Sequence, residues 1–303
     1  MVMQNEYPET VGGMIEWCAQ ALESGDVFYG HGTEDAIDEA ASLVFAIAGL
    51  SHAEALGDPD AVYGRSIPED QAETMAQLLR KRIDTRVPMP YLLNEAWFCG
   101  LRFYVDQRVL IPRSPFAELI AERFEPWLDP GSVGRILEIG TGSGCIAIAL
   151  ALAFPDSEVV AADLMPDALE VARINVERHN LTERITLVES DLFAGVSGVF
   201  DLIVSNPPYV PAGEAVGLPA EYAHEPAVAL YSGADGLDSS RGILQDAARH
   251  LSGHGMLALE VGAWAESLES AFPALGFIWP ELEYGGEGIA LLPAQQLKAV
   301  QTL

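Results

Sequence analysis

Apolar side chains recur at helical spacing along the first ninety residues. One such series runs from Val11 to Leu22 and stops before Gly25, a second runs from Ile37 to Ile47 and stops before Gly49, and a third ends before Pro88. A repeat of three to four residues puts these side chains on one face of a helix, and a following glycine or proline ends that helix. The pattern therefore predicts a helical N-terminal region.

The segment 95–112 has a different character. It is rich in aromatic and β-branched residues, and Gly100 supplies turn chemistry within it. Such residues are enriched in strands, so we expect a strand pair here. Ser114 followed by Pro115 then favours the start of a helix.

From residue 135 onward, short apolar runs alternate with helical stretches. The runs expected to form strands are 135–140, 158–164, 185–191, 201–206 and 256–261. Strands separated by helices predict a parallel sheet with both faces covered. Two further runs, 277–284 and 288–292, flank Gly285-Gly286 and predict an antiparallel hairpin at the end of the chain.

Charge narrows the classes of partner. The chain has 16 Lys and Arg against 45 Asp and Glu, a formal net charge of −29, and its one basic cluster is Arg80, Lys81 and Arg82. Phosphate neutralisation supplies much of the affinity for duplex DNA, so we expect no direct DNA binding. Two compatible explanations of the acidity stay open: solubility in a salt-rich cytoplasm, which we favour, and attraction of a basic protein.

Cysteine usage and hydropathy indicate a compartment. Cys18, Cys99 and Cys145 are far apart and match no metal-ligand spacing, which is typical of free thiols in a reducing environment. The longest apolar run, 145–154, is about half of what spans a bilayer, and no export signal is visible. We expect a cytoplasmic protein without a metal site or a membrane partner.

A glycine-rich turn follows the first predicted strand. Residues 137–144 read Leu-Glu-Ile-Gly-Thr-Gly-Ser-Gly, and a helix is expected to start near Cys145. Glycines let a ligand approach the backbone, and the helix N-terminus offers unpaired N–H groups. Dinucleotide-binding proteins have similar turns. Glu138 favours S-adenosylmethionine instead, because it can orient the turn or bind the ammonium group of the methionine moiety.

Acidic residues also end the next two predicted strands. Asp163 lies roughly twenty residues beyond the glycine turn, a spacing at which a carboxylate can accept both ribose hydroxyls. A helix cap is the alternative role. Asp191 can accept the adenine amino group, with Leu192 and Phe193 against the ring. We expect these residues in a cofactor site.

The motif Asn206-Pro207-Pro208-Tyr209 follows the strand run 201–206. In an open α/β sheet, ligands bind beyond the carboxyl ends of strands. The Asn206 side-chain carbonyl and the Pro207 backbone carbonyl can accept the two N–H groups of a planar amide. Pro208 holds the preceding residue extended, and Tyr209 can pack on the amide. The motif therefore indicates methylation of an amide nitrogen.

These motifs resemble those of class I methyltransferases and, within them, of protein-glutamine methyltransferases. Residues 138–149 and 203–209 are similar to the two signatures of that group. Residues 29–33, 96–100 and 109–115 are similar to the branch that methylates ribosomal protein L-three. The release-factor branch usually has an aspartate after Arg-Pro, where this chain continues from Arg113 with serine and proline.

The resemblance implies an α/β, Rossmann-like fold with a seven-stranded, mostly parallel sheet. It also implies a helical substrate-recognition domain (residues 1–92), a hairpin linker (93–113) and an S-adenosylmethionine-dependent methyltransferase domain (114–303). The partner implied is ribosomal protein L-three, free or in the assembling large subunit. The residues assigned to the cofactor are Glu138, Gly140, Thr141, Gly142, Gly144, Asp163, Asp191, Leu192 and Asn206, and those assigned to the substrate are Asn206, Pro207, Pro208 and Tyr209.

Three other functions stay open at the level of sequence. A release factor could be the substrate instead of the ribosomal protein. Asn-Pro-Pro-Tyr also suits the exocyclic amine of a flipped adenine, but the net charge of −29 disfavours nucleic acid. A binding module without catalysis would not need Asn206 and Tyr209. We expect His31 and Trp97 to have structural roles, as a turn residue and as a core residue.

Overall fold

A computed structural model describes residues 7–297 of the chain. These residues form two compact units. Unit 1 contains the chain up to Glu95 together with Pro219–His224, and unit 2 contains Ala96–Leu218 and the chain from Glu225 onward. Within the described range, no helix is both long enough and apolar enough to cross a membrane.

Unit 1 is helical, as its apolar spacing predicts. Thr10 caps the first helix by accepting a hydrogen bond from the Gly13 N–H, and Gly49 ends the second in the left-handed conformation. Ile37, expected on an apolar face, is instead 59% exposed. The helices are α1 (Val11–Ser24), α2 (Ala36–Ala48), α3 (His52–Gly57), α4 (Pro59–Tyr63), α5 (Glu69–Thr85) and α6 (Met89–Leu93).

A buried charge cluster lies inside unit 1. Arg82, on α5, is fully buried and donates hydrogen bonds to Glu39 at 2.8 Å, to Glu221 at 3.0 Å and to the carbonyl oxygen of Phe28 at 2.8 Å. A buried charge needs such partners, because burial removes its hydration. Arg82 therefore belongs to the interior and does not add to a basic surface patch.

Unit 2 begins with the predicted strand pair and contains one sheet of six strands within the described range. The strands are β1 (Ala96–Phe98), β2 (Leu101–Phe103), β3 (Arg135–Ile139), β4 (Glu158–Asp163), β5 (Ile185–Glu189), β6 (Phe200–Ser205), β7 (Leu251–Glu260) and β8 (Ile289–Pro293). The order in the six-stranded sheet is β5-β4-β3-β6-β7-β8. The five strands from β3 through β7 pair in parallel with their neighbours, and β8 pairs with β7 antiparallel. The helices are α7 (Phe116–Ala121), α8 (Cys145–Ala153), α9 (Pro166–Arg178), α10 (Asp238–His250), α11 (Ala265–Ala271) and α12 (Ala294–Leu297).

Both faces of the sheet are buried, which explains its near-continuous apolar strands. Ile136 and Leu202 belong to one core, and their chain neighbours Leu137 and Ile203 belong to the other. Successive side chains of a strand point to opposite faces, so each strand contributes to both cores.

The predicted terminal hairpin was also expected to supply the sixth and seventh strands of the sheet. β8 is the hairpin's second strand, and its partner segment pairs with it through Ile278 and Leu291, which exchange two backbone hydrogen bonds of 3.1 and 2.8 Å. The mostly parallel sheet is confirmed, with this antiparallel bridge where the seventh strand was expected.

Trp97 was expected in a core. It lies on β1, and its side chain is instead 38% exposed.

Candidate active site

The candidate site lies where the strand order of unit 2 reverses. The chain runs outward from β3 to β4 and β5, then returns so that β6 pairs with the other side of β3. At the carboxyl ends of these two central strands, the Ser205 hydroxyl donates to the Ile139 carbonyl at 2.8 Å. The glycine turn follows β3 and the Asn-Pro-Pro-Tyr motif follows β6, so the two motifs lie side by side at a topological switch point.

A cavity of about 400 Å³ opens at this point, a size typical of small-molecule sites. All of its walls belong to unit 2. Most of the lining comes from residues 108–114, 138–143, 163–165, 190–192 and 206–208. The predicted cofactor residues apart from Gly144, and the predicted substrate residues apart from Tyr209, therefore line one cavity.

The glycine turn has the backbone that its sequence requires. Gly140, Gly142 and Gly144 all have positive φ angles, of 76°, 52° and 80°, a region that other residues rarely adopt. Glu138 is 1% exposed. It accepts a hydrogen bond from the Thr141 hydroxyl at 2.5 Å and another from the backbone N–H of Ala147, in the first turn of α8, at 3.0 Å.

Glu138 thus orients the turn, which is one of its two predicted roles. Burial raises the pKa of Glu138 to about 8, and the hydrogen bonds from Thr141 and from the Ala147 N–H only partly offset that rise. Because Glu138 also lines the cavity, binding of an ammonium group stays a second prediction for the same side chain.

Asp163 lies at the end of β4 with both carboxylate oxygens engaged. It accepts a hydrogen bond from the Gly142 N–H at 2.8 Å and one from the Met165 N–H at 2.9 Å. Desolvation raises the pKa of Asp163 despite these bonds. The carboxylate lines the cavity and retains lone pairs for a ligand, so a structural role and a ribose contact are compatible.

Asp191 and Leu192 line the same cavity beyond β5. Leu192 has a positive φ of 49°, which is uncommon for a non-glycine residue and marks a backbone held by its surroundings. Ser190 supplies that hold, since its hydroxyl donates to the Leu192 carbonyl at 2.7 Å and accepts the Gly195 N–H at 2.8 Å. An adenine contact for these residues stays a prediction.

Only part of the Asn-Pro-Pro-Tyr motif lines the cavity. Asn206, Pro207 and Pro208 line the cavity, whereas Tyr209 is not among its lining residues. The ring of Tyr209 lies so close to Gly262 that a β-carbon there would come within 3.0 Å of it. The proposed packing of Tyr209 on a substrate amide stays a prediction.

A second buried carboxylate stands next to the motif, and sequence reasoning did not single it out. Glu260, the last residue of β7, is 3% exposed and accepts hydrogen bonds from the Ser114 hydroxyl at 2.5 Å and the Tyr209 hydroxyl at 3.4 Å. Burial raises its pKa to about 7, while the side chains of Ser114, Tyr209 and Asn206 and the charge of Arg113 act to lower it. A glutamate within the otherwise apolar run 256–261 was the available signal.

An ion pair fixes one wall of the cavity. Arg113 donates two hydrogen bonds to the buried Glu225, at 2.7 and 2.6 Å, and the Ile111 N–H donates a third at 3.0 Å. Two parallel bonds of this kind restrict both partners to one geometry. Glu225 lies more than a hundred positions from these partners, so local sequence patterns do not reveal the pair.

His31 belongs to unit 1 and is part of an aromatic cluster. Its side chain is 2% exposed, and its ring centroid lies 5.9 Å from that of Phe28 and 4.8 Å from that of Tyr222. These contacts agree with the structural role expected from the sequence.

Comparison with known proteins decides the family. Residues 117–222 match the family described as Methyltransferase small domain. Two curated relatives, the ribosomal protein uL3 glutamine methyltransferases of Neisseria meningitidis serogroups A and B, are each 42% identical over 290 residues, which is 95% of this chain and 94% of theirs. This chain belongs to the uL3 glutamine methyltransferase family. A solved methyltransferase from Pyrococcus furiosus is 21% identical, with a TM-score of 0.48, and the match covers 74% of this chain and 98% of that one.

The chain is therefore a class I methyltransferase, and its cofactor is S-adenosylmethionine. The cavity fits that cofactor in its donor and acceptor groups. Positive-φ glycines expose backbone at one wall, and carboxylates from the ends of β3 and β4 reach it at Glu138 and Asp163. Such groups suit an ammonium group and ribose hydroxyls.

Proposed function

We propose that this enzyme transfers a methyl group from S-adenosylmethionine to the side-chain amide nitrogen of a glutamine in ribosomal protein uL3. The observation that carries the proposal is the 42% identity, over 95% of the chain, to relatives named for that activity. The proposal is also supported by the position of Asn206 next to the glycine turn, because the amide-binding motif then lies beside the cofactor cavity.

The lining of the cavity supports an assignment of the cofactor residues. We assign Glu138, Thr141 and the glycine turn to the methionine moiety, Asp163 to the ribose, and Asp191 with Leu192 to the adenine. When bound, S-adenosylmethionine supplies an electrophilic methyl group on a positively charged sulfur. The remaining work of this chain is to hold and orient a poor nucleophile.

Asn206 and Pro207 orient that nucleophile. A planar amide delocalises the nitrogen lone pair into its carbonyl. Acceptors at the Asn206 side-chain oxygen and the Pro207 carbonyl bind the two N–H groups and fix the nitrogen toward the cofactor. Such preorganised dipoles stabilise the charge that develops on the nitrogen. The nitrogen releases its proton to water as the new N–C bond forms.

Unit 1 supplies substrate recognition in this proposal. The residues of unit 1 do not line the cofactor cavity. A role other than cofactor binding is therefore needed to account for this unit. A ribosomal protein that binds RNA is basic, and a chain of net charge −29 attracts it. We assign recognition of uL3 to unit 1 and to the strands β1 and β2.

Side-by-side methylation assays test the proposal. Purified uL3 and a release factor are each incubated with the enzyme and labelled S-adenosylmethionine, and tandem mass spectrometry locates the modified residue. We expect one methyl group on a uL3 glutamine and little transfer to the release factor. Asn206→Ala serves as the impaired variant, and Gln295→Ala, which truncates an exposed amide on α12, serves as its matched control.

The outcomes separate the candidate functions. Preference for the release factor would overturn the target and leave the glutamine chemistry standing. Methyl transfer to adenine in RNA or DNA, with none to protein, would overturn the chemistry. Binding of uL3 without any transfer would indicate a recognition module.

A further inference from the structure

One cationic side chain of the cofactor cavity has no role in the assignments made so far. Arg108 lines the cavity from the loop between β2 and α7. Its guanidinium pairs with Asp106: Nε donates to one carboxylate oxygen at 2.8 Å, and Nη2 donates to the other at 2.6 Å. This pairing uses two of the five N–H donors of an arginine, and the side chain is 37% exposed. Arg108 therefore has donors left for a ligand.

A series of hydrogen bonds joins this loop to the glycine turn. Asp106 also accepts the Tyr104 hydroxyl at 2.9 Å. The Tyr104 backbone donates its N–H to the side-chain oxygen of Asn175 at 2.7 Å and accepts the Asn175 NH₂ at its carbonyl at 2.9 Å. The same NH₂ group donates to the Ser143 carbonyl at 2.8 Å, and Asn175 is fully buried. The loop that carries Arg108 is thus fixed to the glycine turn.

The charges around the cavity leave one part of the cofactor in need of a cation. The methionine moiety of S-adenosylmethionine ends in a carboxylate as well as an ammonium group. The acidic side chains among the described residues that line the cavity are Glu138, Asp163, Asp191 and Asp238. Ionised carboxylates repel a further carboxylate. A nearby cation is therefore needed to bind that end of the cofactor.

Two of the described lining residues are cationic, Arg108 and Arg113. Arg113 directs two hydrogen bonds, at 2.7 and 2.6 Å, to Glu225, whose side chain is fully buried. That pair fixes the Arg113 fork toward the protein wall. The carboxylate that orients Arg108 is 22% exposed, so this second pair lies at the accessible side of the cavity.

We propose that Arg108 binds the carboxylate of the methionine moiety of S-adenosylmethionine. The proposal rests on the assignment of that moiety to the glycine turn in the function proposed above. A guanidinium is a planar fork that matches a carboxylate, and Asp106 orients it from one edge. The two ends of the amino-acid moiety are then bound by different segments, the carboxylate by the Arg108 loop and the ammonium group by Glu138.

Binding of a truncated cofactor tests the contact without a protein substrate. Decarboxylated S-adenosylmethionine lacks the carboxylate and keeps the sulfonium, the ammonium group, the ribose and the adenine. Calorimetry on the free enzyme gives the Kd of both compounds. We expect Arg108→Met to bind S-adenosylmethionine about five- to tenfold more weakly than the wild type, because the ion pair is partly exposed. The decarboxylated compound should bind the wild type and Arg108→Met equally.

Two further variants sharpen the comparison. Arg108→Lys keeps the charge without the planar fork, so its Kd for S-adenosylmethionine should lie between those of the wild type and Arg108→Met. Arg249→Met is the matched control. It removes the same charge from an arginine of α10 that pairs with Asp246 at 2.6 Å and is not among the described residues that line the cavity. Both Kd values should equal those of the wild type.

The outcomes separate this contact from the proposed function. If Arg108→Met weakens both compounds equally, the side chain does not act through the carboxylate, and the proposal is wrong. An unchanged Kd for S-adenosylmethionine in Arg108→Met refutes it as well. None of these measurements uses uL3, so a lack of methyl transfer to uL3 would overturn the proposed function and leave the Arg108 contact standing.

Discussion

Replacement of Asp163 tests the cofactor site most directly. Asp163 lies at the end of β4 and lines the cavity while it accepts the Gly142 and Met165 N–H groups at 2.8 and 2.9 Å. We expect Asp163→Ala to weaken binding of S-adenosylmethionine, because the ribose hydroxyls lose a charged acceptor and the glycine turn loses an anchor.

The magnitude follows from the hydrogen bonds involved. A hydrogen bond to a charged group contributes about 1.5–3 kcal/mol, and each 1.4 kcal/mol changes a Kd tenfold. We therefore expect Kd to rise about 10- to 150-fold in Asp163→Ala, with much of kcat recovered at saturating cofactor. Asp163→Asn, which keeps one acceptor oxygen, should fall between this variant and the wild type.

Calorimetry on the free enzyme measures these Kd values. Asp167→Ala is the matched control, since it removes an exposed carboxylate from the first turn of α9 and should leave Kd unchanged. Affinity should also weaken on acidification at a higher pH than for an ordinary aspartate, because desolvation raises the pKa of Asp163 and the protonated form accepts fewer hydrogen bonds. An unchanged Kd in a folded Asp163→Ala would refute the ribose contact.

Three further predictions concern the chemical step, the stability of unit 1 and the rate at which the enzyme encounters uL3. Asn206→Ala should retain the cofactor Kd and lose about a hundredfold in kcat; loss of cofactor binding in calorimetry would contradict the substrate role. Arg82→Met should lower the free energy of unfolding of unit 1 by about 3–5 kcal/mol in urea denaturation, because it leaves Glu39 buried without its counter-charge and Glu221 with the longer 3.4 Å pairing to Arg86, and adding Glu39→Gln and Glu221→Gln should restore much of it. The kcat/KM on uL3 should fall as salt rises, because screening acts over roughly 8 Å at physiological ionic strength; a rate that rises with salt would mean that the acidity serves solubility in a saline cytoplasm.

Local features of the fold could be predicted from sequence because their causes are local. The Thr10 cap, the stop at Gly49 and the positive-φ glycine turn each depend on residues within a few positions of one another. Alternation of apolar strands with helices likewise predicts a parallel sheet, whose carboxyl ends bring the two motifs together.

The contacts that sequence reasoning missed join distant positions. Ser114 and Glu260 are 146 residues apart, and Arg82 and Glu221 are 139 apart. Periodicity also placed Ile37 on a buried face, although its side chain is 59% exposed. Only the folded chain shows which charged residues are buried together.

The composition of unit 1 has a consequence for synthesis on the ribosome. Its helices are complete at Glu95, but Pro219–His224 belongs to the same unit, and Glu221 from that segment binds Arg82 and the Phe28 N–H. At roughly 5–20 residues per second, the nascent helices wait on the order of ten seconds for this segment. A fragment cut at the end of the helices leaves Arg82 with one carboxylate partner instead of two, so the helical region cannot be dissected from the enzyme as a complete folding unit.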